Sequence, residues 1–175
     1  MIKNVLDSSI LISLAKIKYL KIIISIKDIF IIPEEVYKES VIEGEKKYIP
    51  DAILIKRFIA DNKIEIINVQ NKSIRNLALK IKKRNMAKGD EAVLAIALQE
   101  KADEILTDDE GLTKIGLYLG FRVSASPDLL LNRFRINIIN FQELEINIKK
   151  LVLENRLSSP VAEYYIMEAM KNVKN

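Results

Sequence analysis

The chain has 175 residues, of which 49% are hydrophobic and 30% charged, with a net charge of +4 and a pI near 9.1. That size and balance suit one domain with a sizeable core and exclude disordered, collagen-like and low-complexity classes. With no cysteine and no histidine, the chain has no disulfide, no Cys/His zinc site and no serine–histidine or cysteine–histidine relay. Any chemistry therefore runs on carboxylates, hydroxyls, lysines or a carboxylate-held metal.

Residues 3–6 read as a buried first strand, followed by Asp7, Ser8 and Ser9, all good helix N-caps. Ile10, Leu11, Leu14 and Ala15 then recur at helical spacing over 9–16. A short helix over 20–26 precedes a second strand at 29–32, and Pro33 stops that strand and opens a helix over 34–42. Residues 44–50 read as loop, Asp51 as the cap of a helix over 52–60, and 64–69 as a third strand. A helix over 73–83 has a strongly basic end, KIKKRNMAK, and Gly89 precedes a clean helix over 90–101. The fourth strand, 104–106, leads into Thr107, Asp108, Asp109 and Glu110. A helix over 112–119 is ended by Gly120, with a short fifth strand at 121–123. After Pro127 come helices over 128–134 and 141–154, and the last, 160–172, has Ser158 or Ser159 as cap and Pro160 at its first position.

Strands alternating with helices predict the α/β class: a doubly wound, mainly parallel five-stranded sheet with helices on both faces. The expected organisation is an α/β body over 1–140 and a helical extension over 141–175 packed on the same domain. Apolar runs such as 22–26 are too short for a membrane span, and MIKNVLDSS does not read as a signal peptide. A cytoplasmic protein is expected, and the lack of cysteine agrees with a reducing compartment. Abundant Ile and Lys beside few Gly and Pro suit a heat-adapted source or an AT-rich genome.

Ligands of doubly wound sheets sit beyond the carboxyl ends of the strands. Asp7 follows strand one and Asp109 follows strand four; if the two strands are neighbours, their backbones lie about 4.8 Å apart. A helix of a dozen residues runs roughly 18 Å, so the start of the 90–101 helix, with Asp90, returns to the same edge. Glu39 projects there if its helix leans over strand one. Carboxylates about 5 Å apart repel by several kcal/mol and must bind a cation or take up protons. Oxygen-only donors select Mg2+ or Mn2+. Competing readings exist for each acid: helix capping for Asp7 and Asp90, a solvated helix face for Glu39, and an ordinary turn for Asp108, Asp109 and Glu110.

VLDSS, PEEVYKE, GDEAVLAIALQEKA and ILTDDEGL together resemble the PIN domain pattern, over nearly the whole chain. The family's four acids match Asp7, Glu39, Asp90 (with Ala95 and Ala97) and Asp109 (two after Thr107). The resemblance implies a Mg2+- or Mn2+-dependent nuclease, usually a ribonuclease, leaving 5′-phosphate and 3′-hydroxyl ends. Asp7, Asp90 and Asp109 would ligate the metal, Glu39 would complete the shell or orient the attacking water, and Ser8 and Thr107 would fix carboxylates or contact phosphate. Glu91 beside Asp90 and Asp108 beside Asp109 leave the register open by one at both places. The tail ENRLSSPVAEYYIMEAM is similar to the extra helices of a prokaryotic PIN subfamily often encoded near toxin–antitoxin pairs, which implies an antitoxin-like partner and, as is common in the family, a homodimer.

Lys82, Lys83, Arg84 and Lys88, directly ahead of Asp90, are the candidates for contact with an RNA backbone, against the plainer reading of a solvated helix end. Lys114 and Arg122 are weaker candidates of that kind. Two further classes compete with the nuclease. One is a PIN-like module that binds RNA or protein without cutting. The other is a phosphatase or receiver domain, which would need an acid where Ser9 stands or after a third strand, where Gln70 and Asn71 follow Val69.

Overall fold

The structure is a computed structural model that describes residues 2–24, 28–62, 64–81 and 86–173. Five strands, β1 (Lys3–Leu6), β2 (Ile29–Pro33), β3 (Glu65–Ile67), β4 (Glu104–Leu106) and β5 (Arg122–Ser124), form one sheet in the order β3-β2-β1-β4-β5. Every pairing is parallel. The chain leaves β1 toward β2 on one side and returns to β4 on the other, so the strand order reverses between β1 and β4. The helices of the crossovers cover the sheet, and Val5, Leu6, Ile31, Ile32, Ile105 and Leu106 are all buried, as central parallel strands require. The α/β doubly wound class expected from the sequence is the one observed, with the sheet wholly parallel.

The helices are α1 (Ser8–Lys16), α2 (Glu34–Tyr37), α3 (Glu43–Lys46), α4 (Pro50–Asp61), α5 (Asn71–Lys80), α6 (Lys88–Gln99), α7 (Glu110–Tyr118), α8 (Ser126–Arg135), α9 (Phe141–Leu153) and α10 (Ser159–Val173). A 3-10 turn, Leu20–Ile22, stands in the first half of the helix expected over 20–26, and 25–27 lie outside the described residues. Arg133 of α8 holds this turn by donating from Nε to the Ile22 carbonyl and from Nη2 to the Ile23 carbonyl, at 3.1 and 3.0 Å. Among the described residues, no helix is long and apolar enough to cross a membrane.

Four local expectations need correction. The 34–42 helix is interrupted by a π turn, Lys38–Ile42, and runs on into α3, so Gly44 is helical rather than loop. A Cβ at Gly44 would stand 2.6 Å from the Ala52 Cβ, so this glycine serves the close crossing of α3 on α4, not a turn. Asp51 does not cap α4, which starts at Pro50 after Ile49; its carboxylate meets Lys16 at 3.5 Å instead. The third strand is shortened to Glu65–Ile67, because Gln70 is already the cap position of α5.

The last two helices pack on α8 and on each other. They are tied to the front of the chain by Arg156, which donates from Nε to the Ser13 hydroxyl at 2.8 Å and from Nη2 to the Ser9 carbonyl at 3.3 Å. A second tie is the Tyr165 hydroxyl, which donates to Asp128 Oδ1 at 2.6 Å. Burial and this bond push the Tyr165 phenol well above its usual range.

Candidate functional site

β1 and β4 pair as far as Leu6 and Leu106, and the Asp7 amide adds one more bond to the Leu106 carbonyl, at 3.0 Å. Asp7 and Thr107 are thus the first residues beyond the carboxyl ends of the two central strands. Asp7 is buried. Its Oδ2 accepts from the Thr107 hydroxyl at 2.8 Å, from the Ser9 amide at 3.3 Å, and from the Ser9 hydroxyl. Its Oδ1 has a single weak contact, the Ser8 hydroxyl at 3.4 Å. One oxygen is therefore committed to the fold, and the other keeps only the weak Ser8 contact.

Two hydroxyls lace the acidic segment after β4 to this carboxylate. The Thr107 hydroxyl, besides bonding Asp7, accepts from the Asp109 amide at 3.0 Å. The Ser9 hydroxyl accepts from the Asp108 amide at 2.9 Å. Sequence reading took Ser9 as a helix cap and missed that second role, which the Asp-x-Ser spacing across a strand end hints at but does not fix. Ser9→Ala removes a donor from a buried carboxylate and an acceptor from a backbone amide. It is expected to lower stability by about 1–2 kcal/mol, measured by denaturant unfolding.

The neighbouring acids Asp108 and Asp109 separate cleanly. Asp108 is spent on the start of α8: its Oδ1 accepts from the Ser126 amide at 2.7 Å and its Oδ2 from the Ser126 hydroxyl at 2.6 Å. Asp109 caps α7, its Oδ1 accepting from the Leu112 amide at 2.7 Å. Asp109 Oδ2 has no bonding partner among the described residues.

Asp90 lies in the first turn of α6, whose cap position is Ala87, so capping does not account for this acid. It is half-buried. Burial first, and then the charges of Asp7, Asp109 and Glu39, push its carboxyl from 3.8 up to about 6. Those three carboxylates are thus the ones that act on it. Glu91, one residue on, lines a different cavity of about 200 Å3 with Glu35, Val69, Ile74, Lys88 and Ala92. Glu39 sits in the π turn, where one extra residue per turn re-aims the side chain, a device common at functional sites. Its Oε2 lies over Gly89, where a Cβ would stand at 2.9 Å.

Four acids from four elements thus gather at one sheet edge, and among the described residues none is paired with a lysine or arginine. They are not drawn into a ready-built cage: among the described residues, no three such groups stand close enough to hold an ion without moving. The basic candidates divide. Lys82, Lys83 and Arg84 lie outside the described residues. Lys88 is exposed at the mouth of the cavity beside Glu91. Lys114 is engaged with Glu110 at 2.6 Å, and Arg122 stands 4.0 Å from Glu104.

A family model described as a PIN domain matches residues 3–170 of this chain. A search of curated proteins gives no match. Among solved structures, a domain of a functionally unknown protein from Methanocaldococcus jannaschii DSM 2661 is similar at 15% identity and a TM-score of 0.49. The match covers 71% of this chain and 91% of that one.

Proposed function

This chain belongs to the PIN domain family, whose members are in general metal-dependent nucleases, and we propose that it is an endoribonuclease hydrolysing phosphodiester bonds with Mg2+ or Mn2+. The observation that carries the reading is the gathering of Asp7, Glu39, Asp90 and Asp109 at one sheet edge with no cationic side chain paired to them among the described residues. Their oxygen-only chemistry fits a hard divalent ion, because uncompensated carboxylates are what such an ion neutralises.

Asp7, Asp90 and Asp109 would hold the ion. Asp7 and Asp109 each have one oxygen, Oδ1 and Oδ2 respectively, that the fold leaves little engaged, and Asp90 would bind it in its ionised form. When bound, the ion supplies Lewis acidity toward the phosphodiester and toward water. Glu39, exposed and without a hydrogen bond among the described residues, orients the attacking water and takes its proton at Oε2. Thr107 and Ser9 keep Asp7 from turning, and Ser8 stands beside its outward oxygen. Lys88, with Lys82, Lys83 and Arg84, guides the RNA backbone by phosphate contacts. On this reading the protein works in the cytoplasm, with an antitoxin-like protein as its inhibitor and a second copy meeting it through the exposed Tyr164 and Met167 of α10.

Nuclease-free preparations are tested on unstructured RNA with Mn2+, with Mg2+ and with chelator. Metal-dependent cleavage leaving 5′-phosphate ends, and lost in Asp109→Asn, is the expected result. Equal cleavage by wild type and Asp109→Asn sinks the reading. Gly89→Ala gives a finer check. Alanine favours the helix by about 1 kcal/mol over glycine, so thermal stability is held or raised. Because the new methyl displaces the Glu39 carboxylate, cleavage is expected to fall about tenfold.

A further inference from the structure

The two ties that bind the C-terminal helices to the body both end on residues that hold the acids of the site. On one side, the Arg156 guanidinium grips the Ser9 carbonyl and the Ser13 hydroxyl. Ser9 is the residue whose amide and hydroxyl fix Asp7 Oδ2. On the other side, the Tyr165 hydroxyl donates to Asp128 Oδ1 while Asp128 Oδ2 accepts from the Ala125 amide at 2.9 Å. That bond sets the first turn of α8, where Ser126 clasps both oxygens of Asp108. Asp108 is covalently next to Asp109. Its own amide returns to the Ser9 hydroxyl at 2.9 Å, so the two chains of bonds close into a loop.

We propose that Arg156 and Tyr165 are positioning residues of the acidic centre, Arg156 setting Asp7 through Ser9 and Tyr165 setting Asp109 through Asp128, Ser126 and Asp108. The helical extension is then part of the apparatus that spaces the carboxylates and not merely a cover for apolar surface. The physical basis is that partners one bond behind a ligand fix its orientation, at about 10–100-fold in metal affinity or activity. Ser9 is such a partner of Asp7, and Arg156 and Tyr165 act further out by holding the partners themselves, so the low end of that range is expected. Arg156 suits its place because its planar fork makes two bonds in one geometry, which a lysine ammonium does not reproduce. Tyr165 suits its place because a phenol keeps its proton at physiological pH and so can donate to Asp128, and burial and that bond hold it further in the protonated form.

The inference rests on the proposed nuclease reading, and the test separates the two. Tyr165→Phe removes one hydroxyl and keeps the packed ring; Arg156→Lys keeps the charge and loses the fork. Tyr48→Phe, at an exposed tyrosine outside the site and outside α10, is the control. Mn2+ affinity is measured by calorimetry, kcat and KM on RNA, and amide exchange at residues 7–9 and 107–109 without metal. The expected result is a Mn2+ Kd weakened about tenfold and kcat lowered with KM for RNA unchanged. Exchange should be faster at 107–109 in Tyr165→Phe and at 7–9 in Arg156→Lys, with Tyr48→Phe like wild type. A lowered melting temperature with unchanged Mn2+ Kd, kcat and exchange at those residues overturns the proposal and leaves the two ties merely structural. If the wild type neither binds Mn2+ nor cleaves RNA, the nuclease reading fails. The exchange data then still decide: acceleration at 7–9 and 107–109 upholds the positioning role, and its absence refutes it.

Discussion

Asp7→Asn and Asp109→Asn are each expected to lower Mn2+-dependent RNA cleavage by more than about 100-fold, the largest loss usual for a partner one bond behind a ligand and so a lower limit for a ligand itself. Both are expected to do so while folding as well as the wild type. At position 7 the amide oxygen of asparagine takes the place of Oδ2, where the Ser9 and Thr107 donors converge. The new NH2 must therefore take the place of Oδ1, where it presents two hydrogens in place of a lone pair. At position 109 asparagine keeps the cap on the Leu112 amide through its carbonyl oxygen, and asparagine caps helices as well as aspartate does. There too the amide nitrogen is turned to the open side. The measurement is initial cleavage rate on a defined RNA, alongside a thermal melt of each variant. Asp7→Ala serves as contrast: it strips the acceptor from buried donors, at about 1–3 kcal/mol for each group left unsatisfied, and should melt visibly lower. Full activity in either asparagine variant removes that residue from the ion's ligands.

Much of this was legible in the sequence, for reasons that differ along the chain. The strands were readable because central parallel strands are apolar on both faces, as Val5, Ile31 and Ile105 are. Asp7 and Asp109 were readable because each stands directly after such a strand, where chain geometry leaves one place to go. That Asp108 is taken up by Ser126 was not readable from spacing, since Ser126 lies 18 residues on and meets Asp108 only once β5 is laid beside β4. Spacing does not separate Asp90 from Glu91 either; in the fold Asp90 feels the charges of Asp7, Asp109 and Glu39, while Glu91 lines another cavity together with Lys88. Gly44 misleads because glycine signals a turn and a close helix crossing equally well, and only the room denied to a Cβ there, which would stand 2.6 Å from the Ala52 Cβ, tells them apart. Arg156 carried no local signal at all, its bond to Ser13 spanning 143 residues.

Asp90 makes the metal-free protein's stability depend on pH in a direction opposite to that of an ordinary ion-paired carboxylate. Its folded-state pKa, about 6, lies above the usual 3.8, so the folded protein holds the proton more tightly than the unfolded chain does. The stability this contributes is fully present below about pH 4 and is lost as pH rises through 6. At pH 7.5 the ionised group instead stands half-buried among Asp7, Asp109 and Glu39 and costs about 1 kcal/mol once solvent screening is allowed for. Asp90→Asn, always neutral, is therefore expected to be more stable than wild type at pH 7.5 by that amount and equal to it at pH 4, in thermal melts with chelator present. Added Mn2+ is expected to stabilise the wild type at pH 7.5 and to do less for Asp90→Asn, because the ion relieves a repulsion the variant lacks. The same linkage requires protons to leave when the ion enters near pH 5.5, where Asp90 is largely protonated, and almost none to leave at pH 7.5. Calorimetry in two buffers of different ionisation enthalpy counts them. An Asp90→Asn stability difference that is the same at both pH values would show that Asp90 is not the acid on which the other three charges converge.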